Sequence, residues 1–152
     1  MREVAAKLDR GCVLAIDYGF ARAEYYAPER STGTLRAYAA HRSESDPLAR
    51  PGEIDLTAHV EFTSLTAAAE NAGLRLHGFC DQHHFFVGLG RAHFPDGVVP
   101  EAGEMRAFKT LMHPGLMGLS FQVLALEKNL PLSEPLAGFA FGGEPRRALG
   151  LP

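Results

Sequence analysis

The sequence predicts an α/β fold, and three observations carry that prediction. Strand-like apolar segments lie at residues 12–16, 74–86 and 121–126. Helical spacing fills the intervals before the second and before the third. The chain has 152 residues, 46% of them hydrophobic, which suits one domain with a real core rather than two. About three core strands with flanking helices make a thin sheet. One edge and part of each helix layer are therefore expected to need further chain on the amino-terminal side.

Taken in order, residues 4–8 read as the end of a helix, with Gly11 where a left-handed cap would stop it. The chain is thus expected to open inside a fold. Residues 12–16 form a continuous apolar run, as in a strand buried on both faces of a parallel sheet, and the run ends at Asp17, Tyr18 and Gly19. Residues 20–50 are polar, carry Pro28, Gly33 and Pro47, and keep no period. Loops that long are usually functional or mobile. Within this one, residues 33–38 suit a brief strand or turn.

Pro51 and Gly52 punctuate the loop, and Phe62, Leu65, Ala68, Ala69 and Ala72 then share one helical face closed by Gly73. Residues 74–86 alternate as a strand, 85–89 are apolar, and 104–112 read as an amphipathic helix ended by His113 and Pro114. Residues 121–126 give the last strand. The Pro- and Gly-rich residues 131–152 are expected to form a surface extension.

Composition narrows the function. The net charge is −3 with 22% charged residues, so no basic face for tracking phosphates is expected, and nucleic acid is not a predicted partner. Cys12 and Cys80 lie in apolar segments where a thiol behaves as a small hydrophobe, which fits a reducing compartment and points to the cytoplasm. Residues 1–10 have neither signal nor transit character, and no apolar run reaches membrane-spanning length.

Asp17 is the best-placed acid. A carboxylate directly after a buried strand lies at the carboxyl edge of the sheet, where α/β folds bind ligands. The alternative is an aspartate that caps its own turn. Residues 51–62 gather Glu53, Asp55, Thr57, His59 and Glu61 ahead of a helix. Either Asp55 or Glu61 caps that helix with His59 half-buried, or a carboxylate orients a substrate amine or guanidinium while the histidine relays its proton. His77, Cys80, His83 and His84 lack metal-site spacing: on a strand the adjacent pair would face opposite ways, and no second pair follows. No GxGxxG, Walker or nucleophile-elbow sequence follows a strand.

Leu14-Ala15-Ile16-Asp17-Tyr18-Gly19, Gly33-Thr34-Leu35-Arg36-Ala37-Tyr38 with His41, and residues 51–62 together resemble the MidA family of S-adenosylmethionine (SAM)-dependent methyltransferases. Mitochondrial members of that family assist complex I assembly. Residues 82–90 resemble the family's Q-x-x-F-[LF]-x-x-L-G segment, and Lys109 to Met112, Met117, Gly118 and Phe121 its closing block. Glu61 departs from the family's more usual Asp.

The resemblance covers nearly the whole chain and implies the carboxyl-terminal portion of a class I, Rossmann-like methyltransferase sheet. Residues 12–16, 74–86 and 121–126 become its fifth, sixth and antiparallel seventh strands. Residues 1–152 are then one part-domain, 20–61 a family-specific insertion over the substrate side, and 131–152 a tail. Because the family's SAM-binding loop precedes the matched region, no cofactor residue and no metal ligand is expected here. SAM serves the full-length family, and none is expected to bind this chain alone. The implied catalytic residues are Asp17, Asp55 and Glu61. The implied substrate contacts are Tyr18, Arg36, Tyr38, His41, Thr57, His59 and Gln82. A protein side chain such as arginine is the expected acceptor. The alternative is a truncated, non-catalytic chain that binds a protein partner or dimerises through its sheet edge.

Overall fold

The computed structural model describes residues 1–40, 42–94, 101–130, 132 and 134–152. Helix α1 (Arg2–Lys7) leads into strand β1 (Gly11–Phe20) and a short helix α2 (Arg22–Tyr25). Strands β2 (Arg36–Ala39), β3 (Arg42–Glu44), β4 (Asp55–Thr57) and β5 (Val60–Glu61) follow, then helix α3 (Phe62–Glu70). Strand β6 (Arg75–Asp81), helices α4 (Gln82–His93) and α5 (Ala102–Met112), strand β7 (Phe121–Lys128) and helix α6 (Pro145–Ala148) complete the order.

The expected α/β class is present. Four strands form a mixed sheet in the order β5-β1-β7-β6, with β7 antiparallel to both β1 and β6 and β5 parallel to β1. A separate three-stranded sheet, β3-β2-β4, arises within residues 20–61, with β2 and β3 inside the segment expected to be a long loop and β4 just beyond it. Its central strand coincides with part of the brief strand expected at residues 33–38.

The main sheet carries a cluster on each face. Phe62, Ala69, Leu74, Phe79, Leu124, Leu126 and Leu149 pack on one side, and Cys80, Phe85, Val123, Ala125 and Phe139 on the other. Strand β7 lies between β1 and β6, and the two clusters bury its two faces. Its Glu127, 2% exposed, is paired with Arg75 and lies 3.7 Å from His77, which keeps the buried carboxylate from standing alone.

Four expectations need correction. The strand expected through Phe86 stops at Asp81, whose carboxylate accepts from the His84 N–H and starts α4. Gln82, Phe85 and Gly88 then fall at helical spacing and are buried, so His83 and His84 are helical neighbours rather than residues on opposite strand faces. Gly11 does not cap α1, which ends at an extended Leu8; it opens β1 instead. The chain after residue 134 is no surface extension, since Phe139 is edge-on to Phe85 and Leu149 is 1% exposed in the core. Strand β1, lastly, is not buried on both faces: Leu14, Ile16 and Tyr18 are 49%, 48% and 42% exposed.

Helix α3 ends as its sequence requires. Gly73 takes φ +86° while its N–H reaches Glu70 and the Leu74 N–H reaches the Ala69 carbonyl. A left-handed residue supplies that paired closure, and glycine adopts it without a Cβ clash.

Candidate functional site

The carboxyl end of β1 is shaped by a close approach. A Cβ on Gly19 would lie 2.3 Å from the Val60 carbonyl oxygen and 2.6 Å from the Phe62 ring. Only a hydrogen there lets β5 pair beside Gly19 over the buried Phe62. That pairing brings residues 59–61 beside residues 17–20. Gly19→Ala is expected to cost about 1–3 kcal/mol by overpacking, readable by urea unfolding.

Asp17 is exposed at this edge, and its Oδ1 accepts from the Tyr18 N–H at 2.8 Å. The Tyr18 ring leans on Phe121 at 4.0 Å between centroids and lies 6.4 Å from the His59 ring. His59 meets Phe20 edge-on at 5.1 Å, and its backbone N–H donates to the Thr34 hydroxyl. Its Nδ1 is buried without a hydrogen-bond partner among the described residues. Burial, with the charges of Arg30 and Arg36 adding to it and Asp17 opposing, holds the imidazole below its ordinary pKa. His59 is therefore neutral near pH 7.

This shift has a sign that can be measured. The unfolded chain protonates His59 near pH 6.5 while the folded chain resists, so stability present above that pH is lost as pH falls towards the folded value. Urea unfolding of His59→Leu is expected to show a flatter pH dependence in that window than the parent chain.

Glu61 is committed to structure. Its carboxylate caps α3, accepting from the N–H groups of Thr63 at 2.7 Å and Ser64 at 3.1 Å, and lies 3.5 Å from the Arg22 guanidinium. Burial pushes the carboxyl up, but hydrogen bonds from Ser64 and Thr63 outweigh it and hold the pKa low. Glu61→Ala is expected to cost about 0.5–2 kcal/mol through the lost cap, with Glu61→Gln costing less. The readout is the midpoint of urea unfolding.

A second group forms on the small sheet. Tyr38 pairs with Asp55 and Arg36 with Thr57 across β2 and β4, and Tyr38, Asp55 and Thr57 line one open recess of about 550 Å³. Thr57 stands two residues before His59, so the recess and the β1 edge adjoin along the chain. Gln82 stands apart: it is 5% exposed, and its amide donates to the Leu111 carbonyl, locking α4 to α5. His41 lies outside the described residues.

The structure thus brings Asp17, Tyr18 and His59 together and Tyr38, Asp55 and Thr57 together, with Arg36 opposite Thr57 on β2. It turns Glu61 and Gln82 inward. Sequence reasoning missed the Asp81–His84 pair, whose Nδ1 to Oδ separation is 2.8 Å. An aspartate three residues before a histidine is the helix-cap spacing that could have found it.

A family model described as "Putative S-adenosyl-L-methionine-dependent methyltransferase" matches residues 1–80. A Drosophila melanogaster relative, "Protein arginine methyltransferase NDUFAF7 homolog, mitochondrial", is 33% identical over 125 residues, covering 78% of this chain and 27% of the relative. A native crystal structure of an uncharacterized Burkholderia thailandensis protein aligns with TM-score 0.79 at 35% identity, over 93% of this chain and 38% of that one. A second Burkholderia thailandensis structure, bound to S-adenosyl-homocysteine, gives TM-score 0.78 at 35% identity, over 93% of this chain and 37% of that one. The chain spans well under half the length of each of these relatives.

Proposed function

Because the chain belongs to the MidA-type family of S-adenosyl-L-methionine-dependent methyltransferases, we propose that it supplies the acceptor side of such an enzyme and presents a protein arginine at the carboxyl end of β1. The observation that carries this reading is the meeting of exposed Asp17, Tyr18 and a neutral His59 at one sheet edge, beside the Tyr38–Asp55–Thr57 recess.

The described residues do not themselves fit the cofactor. No strand among them passes through a glycine-rich turn into a helix, and the two strands that enter a helix directly, β5 and β6, meet N-termini already capped by the Glu61 and Asp81 carboxylates. On this reading the donor is held by protein outside the described residues. Strand β1 has room for such a neighbour: beyond Gly19 and Phe20 its outer edge has no described partner, and Leu14 and Ile16 are half-exposed.

A guanidinium keeps its proton far above neutral pH, so it must be charge-paired and one nitrogen freed before it can act as a nucleophile. Asp17 localises the positive charge, and His59 receives the proton released at the methylated nitrogen. Tyr18 walls the acceptor. Tyr38, Asp55, Thr57 and Arg36 hold the adjoining peptide within the insertion at residues 20–61. Glu61 is a positioning residue that fixes the start of α3. Fixed geometry is the main contribution such a site makes to rate. The two free cysteines support a reducing compartment, proposed as the cytoplasm; the fly relative is named as mitochondrial.

Calorimetric titration of the 152-residue chain with SAM tests this division of labour. The expected result is no binding heat; micromolar binding would place the cofactor on these residues and overturn it. A second reading is favoured by the same exposed strand: a non-catalytic chain that pairs with a copy of itself or another protein through β1. A concentration-independent monomer in sedimentation would remove self-pairing.

A further inference from the structure

Strand β6 carries one extra residue against β7. Leu76 is opposite Leu126 and Gly78 opposite Ala125, so His77 between them has no counterpart and bulges from the ladder. A bulge re-aims its side chain. The imidazole, 10% exposed, is turned onto residues 134–139, where it meets Leu136. The same segment seats Phe139 in the core: a Cβ on Gly78 would lie 2.5 Å from its ring, and the ring is edge-on to Phe85 of α4 at 5.2 Å.

The Leu136 N–H donates to His77 Nε2 at 3.3 Å. A backbone N–H can only donate, so Nε2 carries no proton, and the one proton of the neutral ring sits on Nδ1, 3.7 Å from Glu127 Oε2. Glu127 on β7, itself paired with Arg75 on β6, is the charged group that faces the ring. Residues 134–139 bring only Glu134, which is exposed and has no described contact with the ring, and α4 carries Arg91 beside Ala137 and Ala140. With Leu136 in place, a proton on Nε2 would set two N–H groups against each other. With Leu136 withdrawn, Nε2 accepts a proton freely and Glu127 still faces the resulting cation.

We propose that His77 is an acid-released latch, whose protonation at Nε2 frees Leu136 and lifts residues 134–139, with Phe139, away from β6 and α4. The open form takes up a proton that the closed form excludes, so falling pH favours opening. Closure is complete where imidazoles are neutral and weakens as pH drops through the range in which they charge. The device is independent of the arginine site at β1.

Amide hydrogen exchange of the 152-residue chain, followed by NMR from pH 8 to pH 5 and corrected for the intrinsic pH dependence of exchange, tests the latch. The Leu136 amide is held by the imidazole and the Phe139 amide by the Leu136 carbonyl at 2.8 Å. Protection of both is expected to fall about tenfold across that range relative to Leu124 at the centre of β7, which reports global unfolding. The fall should share its midpoint with the chemical shift of the His77 ring. In His77→Gln, whose amide oxygen accepts without titrating, protection is expected to stay level with pH. A constant ratio of Leu136 to Leu124 protection in the parent chain, or an undiminished fall in a folded His77→Gln, overturns the proposal. The parent-chain ratio decides alone if the variant does not fold.

Discussion

Asp17→Ala is expected to lower methyl transfer to an arginine acceptor by about 10²-fold or more while leaving SAM affinity unchanged. The measurement needs a cofactor-holding partner, such as the Burkholderia protein crystallised with S-adenosyl-homocysteine, with its matching segment replaced by this chain. The carboxylate is exposed, and its one described contact is with the next residue's N–H, so its removal leaves the fold intact. Charge is what is lost. Asp17→Asn keeps the shape and should fall nearly as far, because an amide cannot localise a guanidinium. A shared drop in melting temperature would mark Asp17 as a turn cap, the alternative that its sequence left open, and undiminished transfer would remove it from the site.

Phe62→Ala is expected to cost about 3–5 kcal/mol in unfolding free energy. Phe62 is 0% exposed, packs 5.3 Å from Phe79 between ring centroids, and lies directly under Gly19. It joins α3, β6 and the functional end of β1 in one contact. Truncation therefore leaves a cavity beneath the site, and Asp17 and His59 should lose their alignment together. Urea unfolding gives the cost; a loss below about 1 kcal/mol would show that the cluster collapses to fill the gap.

The sequence carried β1, β6 and β7 of the main sheet, though not the two-residue β5, because β7 and the centre of β1 are apolar runs that few other structures accommodate. It also carried α3, whose apolar face and closing glycine act locally. It misplaced the end of β6, because Phe85 and Phe86 extend an alternating pattern and the deciding event is one hydrogen bond from His84 to Asp81. The small sheet was nearly invisible: β3 and β4 have three residues each and no buried ones, and only pairing with β2 makes them strands. The packed end of the chain was missed for a related reason. Pro and Gly are read as punctuation, yet Phe139 and Leu149 between them fill core positions on opposite faces of the sheet.

Within the candidate site, Asp17 was legible from its place after a strand, and the cluster at residues 55–61 from its density of polar groups. What separates His59 from Glu61 was not, since both precede the same helix by similar distances. Their roles diverge through tertiary contacts. Glu61 reaches the free N–H groups of α3, whereas His59 is turned between Tyr18 and Phe20, where burial keeps it neutral.

Transfer of a labelled methyl group from SAM to an arginine peptide by the Burkholderia chimera tests the acceptor-side role most directly. The expected result is labelled methylarginine, abolished by Asp17→Ala and dependent on this chain being present. A folded chimera that binds SAM yet labels no arginine would contradict it.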